Sequence, residues 1–367
     1  MRDKHHSNHC PTLAELPPPP PGRTGWPWTE GSEPLPEAMP DGTPWPRVSV
    51  VTPSYNQGQF LEETIRSVLL QGYPNLEYLI IDGGSTDDSV EVIHKYEPWL
   101  AYWVSERDNG QAHAINKGWQ KATGAYVTWL NSDDTLLSEA IAKTARVLAA
   151  SATTDLVFGN VYHIDPNSNE LAERYGSEFA IHSMLVHWRN VTPQPGFLMR
   201  RAVLDRIGLL DTEFSFSMDF EYWLRLGVQG GILQYMSEFL ANARMHPLAK
   251  TSRSQIVAAQ EQIKILNKIF SSTELAEPIK ALEQQARGAA HRSAAYWSYL
   301  ANDASVTRYH AAQALRHPGK KWGIALVLWL ISLIGDRQMA RARYLWRKGY
   351  RRILPVGKAH SNIGGAV

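Results

Sequence analysis

Four short polar segments, each placed directly after a run of β-forming residues, carry the side chains able to do chemistry in this sequence. They are Pro53-Ser54-Tyr55-Asn56, Asp82-Gly83-Gly84-Ser85-Thr86-Asp87, Glu106-Arg107-Asp108-Asn109-Gly110 and Asn131-Ser132-Asp133-Asp134. Three of the four hold carboxylates. A bare phosphate would call for amide nests and basic side chains instead. Gathered carboxylates suit a substrate that arrives with a hard cation. Mg²⁺ and Mn²⁺ commonly take one or two protein carboxylates and fill their remaining positions with phosphate oxygens and water. Such an ion also offsets the charge of a departing diphosphate. A nucleotide diphosphate held through Mg²⁺ or Mn²⁺ is one explanation of the pattern. A further carboxylate, Asp219, opens the amphipathic stretch Asp219–Leu226, with Glu221 two residues on.

These segments need a scaffold that brings them to one edge. From Arg47 onward, β-rich runs at Val48–Thr52, Tyr78–Ile81, Tyr102–Ser105 and Tyr126–Leu130 alternate with helical patterns at Phe60–Leu70, Val90–Tyr96, Ala112–Ala122 and Leu137–Ala149. That alternation predicts an α/β fold with a mainly parallel sheet flanked by helices. Ligands of such sheets bind beyond the carboxyl ends of the strands, where all four polar segments fall. Leu156–Gly159, Ile232–Met236 and Leu240–Met245 read as further strands. No Gly-x-Gly-x-x-Gly follows the first strand and no Gly-x4-Gly-Lys-Ser/Thr occurs, which excludes the ordinary dinucleotide and P-loop sites.

The chain has 367 residues, with 37 Lys plus Arg against 36 Asp plus Glu, so its charge balance gives no reason to expect nucleic acid as a partner. A single cysteine, Cys10, rules out a disulfide framework and any Cys-rich metal site and suits a reducing compartment. Arg2 and Lys4 are not followed by an apolar run, so no ordinary secretory signal is expected. Residues 1–46, with the run Pro17–Pro21 and few aliphatics, are expected to be disordered or draped over the surface. Residues 252–317 have helical patterning and predict an α-helical appendage after a catalytic domain at 47–251. Within it, the pattern around Asn302-Asp303 resembles a single helical hairpin. Residues 318–355 form an apolar and basic tail, and 356–367 a flexible end. Trp322–Gly335 is apolar but shorter than the ~20 residues of a bilayer span. Arg337, Arg341, Arg343, Arg347, Lys348, Arg351 and Arg352 follow it. A core helix, a partner surface and a helix lying on a membrane all fit that pattern, the basic cluster favouring membrane contact through residues 322–352.

Four ordered motifs resemble the inverting glycosyltransferases of family 2: Val48–Asn56, Ile80–Asp87, Trp129–Asp134 and Ser217–Arg225. The resemblance covers roughly residues 46–250 and implies the GT-A fold. It makes Asp133, the last residue of an Asp-x-Asp motif, the main metal-binding carboxylate, with Asp134 beside it and Asn131 as a neutral residue at the motif's first position. It implies that the loop around Asp82 cradles the nucleoside, that Pro53 and Tyr55 line the base, and that Asp219 is the base taking the acceptor proton. Gly83 stands where the family often has a second acid, which leaves uridine favoured. Asp108 is a candidate nucleotide contact by its place after the third strand. Thr192–Phe197, with Gln194, looks like the acceptor-side loop, and His246 is placed to approach the diphosphate or metal. Each residue also has a purely local reading: Asp133 and Asp134 as helix caps, Asp82 and Asp108 as turn residues, and Asp219 as an acid at a helix start.

The resemblance implies metal-dependent, inverting transfer of a sugar from a nucleotide diphosphate sugar to a glycan or lipid-linked acceptor in cell-surface polysaccharide synthesis. The expected location is cytoplasmic, at the inner face of the cell membrane. A nucleotidyltransferase would need a basic Gly-rich first loop, and Pro53–Gly58 has no Lys or Arg. A degenerate domain that binds nucleotide sugar or glycan as a scaffold is the alternative without catalysis, and retention of both Asp133 and Asp219 argues against it.

Overall fold

The computed structural model describes residues 10–188, 190–247, 255–317, 322–337 and 341. Expectations for residues 1–9, for the domain limit at 251 and for most of the basic tail lie outside the described residues. The chain forms two compact units, one of residues up to 179 with 191–247, the other of 180–188 and 190 with the residues from 255 on.

The first unit is built on a nine-stranded sheet. Its strands are β1 (Val48–Ser54), β2 (Leu76–Asp82), β3 (Tyr102–Ser105), β4 (Tyr126–Trp129), β5 (Thr135–Leu136), β6 (Leu156–Ile164), β7 (Glu170–Arg174), β8 (Leu198–Arg200) and β9 (Leu233–Arg244). Their order is β3-β2-β1-β4-β8-β6-β9-β5, with β7 paired to β6. β1 and β2 are buried at every position, as expected of parallel strands covered on both faces. Pairing is parallel through β3-β2-β1-β4, with Ser54 opposite Asp82, Asp82 opposite Ser105 and Val51 opposite Trp129. This register brings the carboxyl ends of the four strands into line. Beyond β4 the sheet is mixed: β8 runs antiparallel to β4 and β6, whereas β6 and β9 are parallel.

The helices α1 (Gly58–Leu69), α2 (Ser89–Tyr96), α3 (Gln111–Lys121), α4 (Ala140–Ala150), α6 (Ala202–Ile207) and α7 (Met218–Val228) belong to this unit. α3 lies against β1 at Gly118, where an added Cβ would overlap Val51 Cγ1. The two strands expected at 232–236 and 240–245 are one strand, β9. Its exposed Ser237 and Glu238 carry the chain across two register shifts against β6. Gly159 admits that irregularity, since a Cβ there would meet the Glu238 carbonyl oxygen at 2.5 Å. The expected helix at 137–149 is preceded by β5, which pairs with β9.

Residues 10–46 contain only an isolated bridge, Ala38 to Pro44. Leu16, Trp28, Met39 and Trp45 nevertheless enter the core. The buried Arg66 of α1 donates to the carbonyls of Pro17 (2.8 Å), Pro27 (3.0 Å) and Trp28 (2.9 Å). A guanidinium with five donors suits a Pro-rich stretch whose carbonyls have few backbone N–H partners. Few apolar anchors and one arginine thus hold a segment whose composition points to disorder.

The second unit is helical: α5 (Ile181–His187), α8 (Gln255–Phe270), α9 (Glu277–Lys280), α10 (Glu283–Leu300), α11 (Ala304–Arg316) and α12 (Trp322–Ser332). α10 and α11 form the expected hairpin, turning at Asn302 (φ 61°) with the Asp303 side chain accepting from the Val306 N–H at 2.9 Å. Ala295 of α10, Ala311 of α11 and Leu328 of α12 form a small core. α12 leaves Ile324, Val327 and Leu330 exposed, continued by Leu333 and Ile334. Among the described residues no helix is long and apolar enough to cross a membrane.

Candidate active site

The loops after β1, β2 and β3 are tied together by polar contacts. Asn56, in the left-handed region, donates its N–H to Ser85 Oγ (2.8 Å) and accepts from the Thr86 N–H (2.8 Å). Asp87 accepts from the Gly58 N–H at 2.9 Å and the Ser89 N–H at 3.0 Å, joining the first turns of α1 and α2. Asp82 is fully buried. Its carboxylate accepts from the N–H groups of Gly84 (3.1 Å) and Ser85 (2.8 Å), from Ser85 Oγ (2.5 Å) and from Ser105 Oγ (2.7 Å). Asp82 therefore builds the loop rather than presenting a carboxylate to a ligand. Pro53 is buried in β1, and Tyr55 is 62% exposed at the edge. Asp108 is half-buried, with Oδ1 accepting from the Gly110 N–H at 2.7 Å.

A second network lies after β4. Asn131 donates from Nδ2 to Asp134 Oδ2 and to Gln194 Oε1, both at 2.9 Å, and accepts at Oδ1 from Gln111 Nε2 at 2.6 Å. Gln194 in turn donates to the Trp129 carbonyl at 3.1 Å. Asp134 is buried and also accepts from the Arg244 N–H at 2.9 Å. Burial, then the adjacent Asp133 charge, pushes its carboxyl up to about 8. The sequence expectation makes Asp134 a metal ligand and Asn131 a neutral one. Their polar atoms are engaged by protein partners, and Asp134 is closed off from solvent.

Asp133 differs from its neighbour. It is partly exposed, and its Oδ2 lies 3.0 Å from His246 Nε2. Adjacent ligands of an octahedral ion with bonds of about 2.1 Å are roughly 3.0 Å apart, so the spacing of this hydrogen-bonded carboxylate and imidazole would also suit Mn²⁺ or Mg²⁺. The His246 ring is buried and packs on Phe60, centroids 5.1 Å apart. No third His, Cys, Asp or Glu joins the pair in ligand geometry among the described residues.

Below this pair sits Arg244, whose side chain is wholly buried. It reaches Glu63 Oε2 at 3.0 Å, the Asp133 carbonyl at 2.8 Å and the Asp165 carbonyl at 3.0 Å, and its guanidinium lies 4.8 Å from the Phe60 ring centroid. Sequence reasoning missed Arg244, Glu63 and Gln111. A faint signal exists for Glu63, one of two charges, with Arg66, on the buried face of α1.

Asp219 is half-buried in the first turn of α7. Trp223, one turn on along the same face, stacks on Trp129 of β4 (5.6 Å, 14°), and both meet Phe197. This aromatic layer fixes the start of α7 against the strand that delivers Asp133. Glu221 forms a two-pronged ion pair with Arg225, at 2.8 and 2.9 Å, and is buried. The structure thus unites Asn131, Asp133, Asp134, Gln194 and His246 in one network and gathers Pro53, Tyr55, Asp82 and Asp108 along the β1–β3 edge. Asp219 is linked to the first group through packing.

Comparison with known proteins gives a consistent picture. A family model described as Glycosyl transferase family 2 matches residues 49–208. An uncharacterized glycosyltransferase of Mycobacterium tuberculosis is 31% identical over 182 residues, 49% of this chain and 68% of that one. A Bacillus subtilis chain whose name assigns it to teichuronic acid biosynthesis, the glycosyltransferase TuaG, is 42% identical over 96 residues, 25% of this chain and 38% of its own. The crystal structure of S. aureus TarS 1-349 in complex with UDP-GlcNAc superposes with a TM-score of 0.57 at 15% identity, over 83% of this chain and 92% of that one. At that identity the likeness is one of fold: a GT-A-like sheet flanked by helices with a C-terminal helical region.

Proposed function

The chain belongs to glycosyl transferase family 2, and from that premise we propose that it transfers a sugar, with inversion, from a nucleotide diphosphate sugar to a glycan or lipid-linked acceptor in cell-surface polysaccharide synthesis. A UDP-sugar is the favoured donor, in keeping with the UDP-GlcNAc held by TarS. The name of TuaG supports the acceptor class. The observation that carries the reading is the Asp133–His246 pair, two metal-compatible atoms 3.0 Å apart at the carboxyl end of β4, with the carboxylate partly open to solvent.

In this reading Asp133 and His246 would hold Mg²⁺ or Mn²⁺, which would offset the charge on the departing diphosphate. Arg244 fixes the Asp133 backbone, and Asn131 and Gln194 hold the loop. The loops of Pro53, Tyr55, Asp82 and Asp108 receive the nucleoside. Asp219 accepts the acceptor hydroxyl's proton as that oxygen bonds to the anomeric carbon and the bond from carbon to diphosphate oxygen breaks. A positioned carboxylate contributes about 10²–10⁴-fold to such a step. Glu221, committed to Arg225, is the poorer base.

The exposed stripe of α12, Ile324, Val327 and Leu330, supports peripheral attachment to a membrane surface. From Arg337 to Arg352 the sequence adds seven basic residues and no acid, which suits anionic lipid. Incubation with a panel of nucleotide sugars and Mn²⁺, reading nucleoside diphosphate release, tests the function. Turnover is expected with one donor, to be lost with chelator and in Asp133→Ala. Donor binding with unchanged metal dependence in a folded Asp133→Ala would remove Asp133 from its role.

A further inference from the structure

The carboxylates along the β1–β3 edge differ in what they have left to offer. Asp82 has both oxygens engaged, and Asp87 is tied to the starts of α1 and α2. Asp108 is held by one oxygen only, Oδ1 against the Gly110 N–H, and among the described residues Oδ2 has no donor. That second oxygen lies over Gly83. A Cβ added at residue 83 would stand 2.9 Å from Asp108 Oδ2 and 3.2 Å from its Cγ, so the carboxylate occupies the space a side chain at 83 would fill. A side chain at 83 would have to displace that carboxylate; the constraint is this close approach and not backbone angle, since Gly83 is not among the positive-φ glycines.

We propose that Asp108, admitted by Gly83, reads the nucleoside base: its free carboxylate oxygen accepts from a ring N–H, selecting uracil over bases that present an acceptor nitrogen at that position. This rests on the site being the nucleotide site argued above. A half-buried acceptor tethered at one oxygen is already oriented, so it favours a ligand donor and opposes a ligand acceptor. Asp82 contributes by shaping the loop from below.

The test uses the full chain with Mn²⁺ and calorimetric binding of UDP, CDP and N3-methyl-UDP. Wild type is expected to prefer UDP over the other two by about tenfold or more. Asp108→Asn keeps the shape and removes the charge. Gly83→Ala leaves the carboxylate intact but pushes it from its place. Both variants should lose most of the preference, chiefly by weaker UDP binding. Thermal melting checks folding, and should one variant lose its transition the other decides. A preference unchanged in folded Asp108→Asn or Gly83→Ala overturns the assignment, as does equal wild-type affinity for UDP and CDP. A wild-type chain that binds no nucleoside diphosphate overturns the nucleotide site itself, and that outcome is distinct from the others.

Discussion

Glu63→Gln is the sharpest perturbation of the site's foundation. Arg244 has no exposed side-chain surface and Glu63 is 8% exposed, so the charges at 3.0 Å compensate each other away from water. Removing one partner of a buried pair costs about 3–5 kcal/mol, because the other charge is stranded. Glutamine keeps an acceptor, and Arg244 keeps the Asp133 and Asp165 carbonyls and the Phe60 ring, so the expected loss is about 2–3 kcal/mol. Urea unfolding followed by near-ultraviolet circular dichroism of the Trp119, Trp129 and Trp223 cluster reads this unit. With a slope of about 2 kcal/mol per molar urea, the midpoint should fall by roughly 1 M or slightly more. The pair Glu63→Leu with Arg244→Met should recover most of that stability, since an apolar replacement removes both charges together. Its Mn²⁺-dependent affinity for nucleoside diphosphate should still fall about tenfold, because the Asp133 carbonyl has lost its donor. A Glu63→Gln midpoint within about 0.2 M of wild type, or a double variant less stable than either single one, would refute the reasoning.

Asp219→Asn should lower turnover by about 10²-fold or more with donor affinity nearly unchanged; a normal Asp219→Asn beside a folded but inactive Glu221→Gln would show that the base is the other carboxylate. In the helical unit, burial and the neighbouring His310, His317 and Arg287 push His291 down to about 4. Its depressed value means that the folded form resists protonation, so stability present above the ordinary value near 6.5 is lost as pH falls toward 4. Allowing for partial exposure, the loss is about 1–2 kcal/mol. The melting temperature of the helical signal should drop between pH 7.5 and 5.0, less so in His291→Gln, and equal drops would contradict the assignment. The full chain should sediment with anionic vesicles and be released by salt, whereas Val327→Asp with Leu330→Asp should stay in the supernatant; equal sedimentation of both folded forms would exclude α12 as the contact.

The four polar segments, their order and their place at one sheet edge were legible because each follows a strand whose apolar run is continuous, and parallel strands buried on both faces leave that mark. The motif around Asp133 and the helix opened by Asp219 could be read for the same local reason. What each carboxylate does was a tertiary decision. Asp133 and Asp134 are neighbours in the chain, yet one faces His246 and solvent while the other is closed under Arg244, partners more than a hundred residues away. Asp82 and Asp108 look alike as turn residues, and only the approach of the β3 loop to Gly83 separates a carboxylate with every oxygen occupied from one with an acceptor to spare. The order in residues 10–46 was hidden likewise, since it depends on Arg66 supplying donors from α1. Periodicity reports which face of an element is apolar, but the partner of a buried polar group is set by segments that meet only when the sheet has formed.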